Sequence, residues 1–361
     1  MHVRVSGRDS ARLTLVEGGP SPAERYTVAL DPDVPPTVVA MRQTVSPTRQ
    51  AASERTWAVV LAGGEGVRLR PLIRQIYDQD LPKQYAVLTG GRTLLDQTLQ
   101  RLRPLVPPER TVVVTMASHL RYFGRELRQA EGGPHVLAQP QDRGTGAGIL
   151  LAAHWIQARD HGAPMIIFPA DHFVRDEATF LRYTGIMGGF VEKHPEWLVA
   201  MGVSPTGAEP DFGWIQPGER LPAAGYAPIF RARRFVEKPS PEMAAGLWAA
   251  GSLWSTFIVA GSTCAFIDAG RECIPRLDER LSRAVAFVGA EHEHWALGQA
   301  FALAPAANFS RSVLQMTTKP LAVAEVPDIG WHDLGTPARV LRMMRQLGMT
   351  PSWAEALNPA S

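Results

Sequence analysis

The sequence predicts an α/β fold: a mostly parallel, doubly wound sheet with helices on both faces. Three observations predict it. Short apolar, β-branched runs such as Trp57-Ala58-Val59-Val60-Leu61 and Thr111–Met116 read as strands buried on both sides. Stretches of helical period lie between such runs, for example Thr93–Leu105 with Leu95, Thr98, Leu99 and Leu102 on one face. From Trp57 onward the two kinds alternate, a rhythm that implies parallel strands covered by their connecting helices.

Residues 1–55 differ in kind. Pro, Ser, Thr and Arg recur, apolar residues come in short patches, and helical periodicity is absent. VRVSG, LTLVEG and YTVALD are marginal strand candidates, and residues 32–55 read as a linker. The expected division is a partly disordered extension over 1–55, a main domain over 56–350 and a tail over 351–361.

Within the main domain the strand at Trp57 empties into a glycine loop. Then come the helix at 93–105, the strand at 111–116 and a helix over Ser118–Gln129 opened by a Ser cap. A strand ends near Gln139, a helix covers Gly144–Asp160, and a strand runs from Pro164 to His172. A helix at 176–194 and a strand at 198–203 complete the regular part. After Val203 the pattern loosens into strands at 210–219, 230–240 and 252–261 joined by longer loops, which is where an inserted acceptor-binding lobe would sit. Helices return at 264–273, 279–287 and 292–303. A last strand at 321–327 leads into a turn and a closing helix that ends by Gly348. Open α/β sheets bind ligands at the carboxyl ends of their strands, and the glycine loop, Gln139 and Asp171 all fall at such ends.

Composition bounds the function. The chain has 361 residues, 45% hydrophobic and 20% charged, which is ordinary for a soluble globular protein. A net charge of +2 with dispersed Lys and Arg argues against a nucleic-acid partner. No apolar run approaches the roughly 20 residues of a membrane helix, so no membrane partner is expected. The absence of a hydrophobic leader points to a cytoplasmic protein. Cys264 and Cys273 show no metal-ligand spacing and read as reduced, buried thiols.

The glycine loop is the strongest local signal. Gly63, Gly64 and Gly66 follow the strand, and Arg68 and Arg70 follow them. Glycines let backbone N–H groups approach an anion, and arginine adds a planar fork that matches phosphate oxygens. The dinucleotide fingerprint fails at its third glycine, where Leu69 stands, and no GK[ST] is present, so neither a dehydrogenase nor a P-loop fits.

The string LAGGEGVRLRPL (61–72) followed by LPKQ (81–84) resembles the signature of the sugar-1-phosphate nucleotidyltransferases, with Val67 where that family usually has Thr or Ser. The resemblance extends over roughly Trp57 to Gly348 and implies a Rossmann-like core without the C-terminal β-helix of many members. It implies that Leu61, Ala62, Gly63, Gly64 and Gly66 hold the nucleotide, that Arg68 holds its β and γ phosphates, and that Lys83 stabilises the α-phosphate. Gln139, Gly144 and Thr145 would meet the base. Asp171, in Phe168-Pro169-Ala170-Asp171-His172, and Asp333, in Trp331-His332-Asp333-Leu334-Gly335, would bind Mg²⁺. Glu237 and Lys238, in Phe235-Val236-Glu237-Lys238-Pro239, would bind the sugar hydroxyls and the sugar phosphate. Gly213 would admit the sugar closely, and Ser255 stands where the family has a sugar-gripping Asn. Asp211 replaces a glycine of the family's G-Y-G-Y-I motif. The residues 308–315 match the family only weakly and lack its acids. P-K-Q, P-A-D-H and F-V-E-K-P together look most like the mannose-1-phosphate guanylyltransferase branch.

The implied reaction is Mg²⁺-dependent transfer of a nucleotidyl group from an NTP to a sugar 1-phosphate, with small-molecule substrates and a homodimer among the assemblies open to it. A non-catalytic nucleotide or sugar-nucleotide sensor on the same fold is the competing reading.

Overall fold

In a computed structural model the strands between Trp57 and Val326 assemble into one nine-stranded sheet. The structure describes residues 12–13, 26–27, 54–123, 132–222, 228–350 and 353. The chain divides into two units, Met1–Thr48 and Arg49–Ser361. In the first, β1 (Arg12–Leu13) pairs antiparallel with β2 (Tyr26–Thr27). The remaining expectations for residues 1–53, and for the tail apart from Trp353, lie outside the described residues.

In the second unit β3 (Trp57–Ala62), β4 (Thr111–Met116), β5 (His135–Gln139) and β6 (Pro164–Pro169) pair in parallel in the order β5-β4-β3-β6. Period-two alternation sorts the side chains of β3. Trp57 and Val59 enter one core, while Ala58, Val60 and Ala62 enter the other. The first core is covered by α3 (Gly144–Gln157), α6 (Thr263–Cys273), α7 (Pro275–Val285) and α8 (Glu293–Leu303). The second is covered by α2 (Leu94–Leu102), α4 (Glu177–Lys193) and α5 (Pro241–Ala249). Helices thus lie on both faces. A third, smaller core joins α1 (Arg70–Tyr77) to α9 (Pro337–Leu347) through Leu72, Ile73, Val340, Met343 and Met344.

The remaining strands correct the expectation of a mostly parallel sheet. β10 (Leu253–Ser262) runs antiparallel between β6 and β7 (Leu198–Val203). β11 (Leu321–Val326) is parallel to β7 and antiparallel to β9 (Ile229–Glu237). β8 (Gly213–Arg220) closes the edge, antiparallel to β9 and to the start of β10. Five of the nine pairings are antiparallel, so the sheet is mixed. β10 is buried along almost its whole length and is mostly apolar, Ser255, Thr256 and Ser262 excepted, so it reads like a parallel strand.

Smaller corrections concern ends and burial. Thr93 is the N-cap of α2, its Oγ accepting from Asp96 N at 3.1 Å. The helix expected from Ser118 begins as a 3₁₀ turn, Ala117–Tyr122, without a Ser118 cap, and its continuation from residue 124 lies outside the described residues. The sequence pattern does not announce α1 and α5, because each is short and follows a loop motif. Cys264 and Cys273 are free thiols and half-buried rather than fully buried.

Candidate active site

The glycine loop hangs from the carboxyl end of β3 and is fixed from below. Gln84 Nε2 donates to Ala62 O at 2.7 Å and to Gly64 O at 2.9 Å. The Tyr85 and Thr115 hydroxyls lie 3.2 and 3.3 Å from the same Ala62 carbonyl and 2.7 Å from each other. Burial pushes the Tyr85 hydroxyl up to about 12. Glu65 is held by Arg70 Nη2 at 2.8 Å and His119 Nε2 at 3.1 Å. Gly66 has φ +59°, and a Cβ there would lie 3.0 Å from Lys83 Cβ and 3.2 Å from Lys83 N. A glycine is therefore what lets the loop close onto the lysine segment. Val67, at the position of the family hydroxyl, is exposed.

Lys83 is only 6% exposed. Its Nζ lies 3.0 Å from Asp171 Oδ2, 2.6 Å from Asp333 O and 3.2 Å from Leu334 O. One ammonium thus gathers Asp171 and Asp333 from 162 positions apart (333 − 171). A two-way backbone bridge makes this possible: Phe173 N donates to His332 O and His332 N to Phe173 O, each at 2.9 Å. The bridge ties the loop after β6 to the loop after β11. Burial pushes the Asp171 carboxyl up, but the Lys83 ammonium outweighs it and holds the group below the usual carboxylate range.

The surroundings of His172 favour its neutral form and fix its tautomer. Burial pulls it down to about 4. Trp331 Nε1, a donor only, lies 3.2 Å from His172 Nδ1, so the imidazole proton sits on Nε2, which faces Asp171 Oδ1 at 3.8 Å. His332 is likewise lowered by burial.

Arg68 lies beside this group. Its Nη1 is 3.0 Å from Asp211 Oδ2, and a Cβ on Gly335 would lie 3.1 Å from its Nη2. Asp333 Oδ2 accepts from Arg339 Nη1 at 2.9 Å, and Arg339 also donates to Glu209. Nothing in the local sequence pattern marks Arg339 or Tyr85 as parts of the site, and Gln84 appears there only as the last residue of the LPKQ string. Each acts through backbone or carboxylate partners supplied by another element.

Gln139 closes β5 and is buried, and among the described residues its Oε1 has no hydrogen-bond partner. It lies over the start of the glycine loop and the first turns of α3: Cβ atoms on Gly63 and Gly148 would lie 3.2 and 3.5 Å from its Nε2. An orphaned buried acceptor in that position suits the polar edge of a base. Thr145 is differently used, since its Oγ1 accepts from Phe309 N at 2.9 Å and ties α3 to the 307–309 segment. Arg143 does the same work, with Nε donating to Phe301 O at 2.6 Å at the end of α8.

The residues assigned to the sugar meet across three strands. Gly213 on β8 is opposite Glu237 on β9 and Ser255 on β10. A Cβ on Gly213 would lie 2.9 Å from Glu237 Oε2, 3.1 Å from Phe235 Cζ and 3.3 Å from Ser255 Cβ. Burial raises the Glu237 carboxyl above its ordinary value. β10 bulges between Ser255 and Val259, with Phe257 at φ +60° donating its N–H to Ser255 Oγ at 3.3 Å. Lys238 is exposed at the end of β9, with φ +49° and its N–H on Phe212 O at 3.1 Å.

Among the described residues no group of three or more His, Cys, Asp or Glu side chains is arranged to hold a metal. The carboxylates of Asp171 and Asp333 make a smaller donor set, of the kind Mg²⁺ uses when phosphate and water complete its shell. Asp171, held ionised beside Lys83, has the donor chemistry that ion takes, and Asp333 offers a second carboxylate, which is paired with Arg339. Among the described residues no helix is long and apolar enough to cross a membrane.

The nucleotidyl transferase family matches residues 57–348. The chain is 30% identical over 295 residues to the xanthan biosynthesis protein XanB of Xanthomonas campestris, covering 80% of this chain and 60% of that protein. It is 29% identical over 287 residues to mannose-1-phosphate guanylyltransferase ManC of Salmonella typhimurium, covering 78% and 58%. It therefore spans about three-fifths of the length of these relatives. A crystal structure described as a mannose-1-phosphate geranyltransferase from Thermus thermophilus superposes with a TM-score of 0.65 at 31% identity, covering 78% of this chain and 76% of that one. The chain belongs to the nucleotidyl transferase family.

Proposed function

We propose that the protein transfers a guanylyl group from GTP to mannose 1-phosphate, giving GDP-mannose and pyrophosphate. The observation that carries the reading is the convergence of Lys83, Asp171 and Asp333 beside the glycine loop. The Gly213, Glu237 and Ser255 cluster supports a sugar acceptor. The choice of base and sugar leans on the relatives named above.

In this reading a sugar-phosphate oxygen attacks the α-phosphorus in line. A new P–O bond forms as the α–β anhydride bond breaks, and pyrophosphate leaves with the electron pair. Lys83 offsets charge on the α-phosphate, and Arg68 holds the leaving group. Gln139 reads the base edge. Glu237 accepts from sugar hydroxyls, and Lys238 binds the acceptor phosphate. Asp171 and Asp333 would hold Mg²⁺, which when bound would add to the neutralisation of the phosphates. Much of the rate would come from positioning two anions that repel each other in water.

Pyrophosphate release across GTP, dTTP, UTP, CTP and ATP, with mannose or glucose 1-phosphate and with or without EDTA, tests the reading. GTP with mannose 1-phosphate should be fastest, and EDTA should abolish turnover. Another base winning by more than about tenfold, roughly 1.4 kcal/mol in transition-state stabilisation, would overturn the guanylyl assignment. No release with any pair would leave the sensor reading standing.

A further inference from the structure

The loop leading into β8 carries a carboxylate where a phosphate oxygen would be welcome. Asp211 Oδ2 lies 3.0 Å from Arg68 Nη1, and the same oxygen lies 3.4 Å from Arg339 Nη2. The two contacts differ in access. The Arg68 and Asp211 side chains are 51% and 47% exposed, whereas Arg339 is 13% exposed. Arg339 is also fixed by Asp333, by Glu209 and by the face of Phe212, whose ring centre lies 4.4 Å from its guanidinium carbon. The outer contact of Asp211 is thus open to a competitor, and the inner one is not.

We propose that Asp211 is a built-in competitor for the polyphosphate tail at Arg68, which the tail displaces and Arg339 retains. The proposal rests on the reading that Arg68 takes the β and γ phosphates of the NTP. An exposed Arg–Asp pair is worth only about 0–1 kcal/mol, whereas a triphosphate brings several charges and a bidentate fit to the same fork. Displacement is cheap because the carboxylate is not orphaned. Its Oδ2 is already within reach of Arg339, so the exchange breaks one contact and keeps the other. The retained charge stays beside the bound tail, however, and its repulsion caps nucleotide affinity. When pyrophosphate forms, the same carboxylate competes for Arg68 again and favours release. Asp211 is a positioning residue in this scheme: it acts on the nucleotide through Arg68.

Titration calorimetry on the full chain, with GTP and GMP as probes, tests this. Asp211→Asn and Asp211→Ser should each bind GTP about five- to tenfold tighter, the size expected when one like charge is removed near the surface. GMP, which lacks the β and γ phosphates, should bind unchanged. Asp211→Glu, which keeps the charge, should resemble the parent protein. In an Arg68→Ala background the tightening should shrink markedly, since the repulsion alone remains and the competitor has nothing to compete for. The proposal is overturned if the neutral variants leave GTP affinity unchanged or weaker, or if they tighten it equally without Arg68. If Arg68→Ala alone leaves GTP affinity unchanged, the assignment of Arg68 to the phosphates fails, and the competitor role falls with it.

Discussion

Replacing Lys83 by methionine separates what this side chain does for the fold from what it does for the reaction. Methionine keeps the length of the aliphatic stem and removes the charge. In the parent protein the ammonium meets Asp171 Oδ2 at 3.0 Å and the carbonyls of Asp333 and Leu334 at 2.6 and 3.2 Å. Breaking a fully buried ion pair by deleting one partner costs about 3–5 kcal/mol. Asp171 is 29% exposed, so water screens part of that, and about 2 kcal/mol is the appropriate share. The two carbonyls that lose their donor add about 1–2 kcal/mol together. Lys83→Met should therefore cost about 3–4 kcal/mol in urea denaturation near neutral pH, or roughly 5–6 °C in Tm for a unit of this size. The double variant Lys83→Met/Asp171→Asn should recover about 2 kcal/mol, because the lone carboxylate is gone while the carbonyls stay unsatisfied. Turnover should remain at least about a hundredfold down in both, a loss of about 2.7 kcal/mol in transition-state stabilisation, and added Mg²⁺ should not restore it. A double variant no more stable than the single one would refute the argument that Lys83 offsets the charge of Asp171.

Three further outcomes are expected. Gly213→Ala should raise the KM for the sugar phosphate about tenfold and cost about 1–3 kcal/mol by overpacking, while nucleotide affinity measured by calorimetry stays put. Gln139→Leu should raise stability by about 1 kcal/mol by removing an unpartnered acceptor, yet weaken nucleotide binding about tenfold; unchanged binding would remove Gln139 from the base site. Tyr85 should make the fold sensitive to alkali. Its folded value of about 12 lies above the ordinary 10, so its contribution is full below pH 10 and is lost as pH rises toward 12. About 2–3 kcal/mol should disappear over that window, and the same denaturation series on Tyr85→Phe should lack that slope.

Much of the site was legible because its chemistry is local. Leu61 to Arg70 is one strand end and one turn, and a run of glycines beside arginines has few other uses. Phe168–His172 and Phe235–Pro239 are likewise contiguous, so their acids and lysine announce themselves without a partner. The start of the helix at 93 was readable within about one residue for the same reason, since a helix begins on contacts a few residues long.

What the sequence determined by itself was the alternation of apolar strands and amphipathic helices, the glycine loop and the short motifs at strand ends, because each depends on backbone conformations and contacts within a few residues. Only the tertiary structure decided strand direction and long-range pairing. β10 is buried on both faces whether it runs parallel or antiparallel, so burial hides its direction. Asp171 and Asp333 meet at Lys83 only because the Phe173–His332 bridge folds one loop onto another. Asp211 gains its meaning from Arg339 and Arg68, 128 and 143 positions away, through charge contacts that no period or spacing encodes.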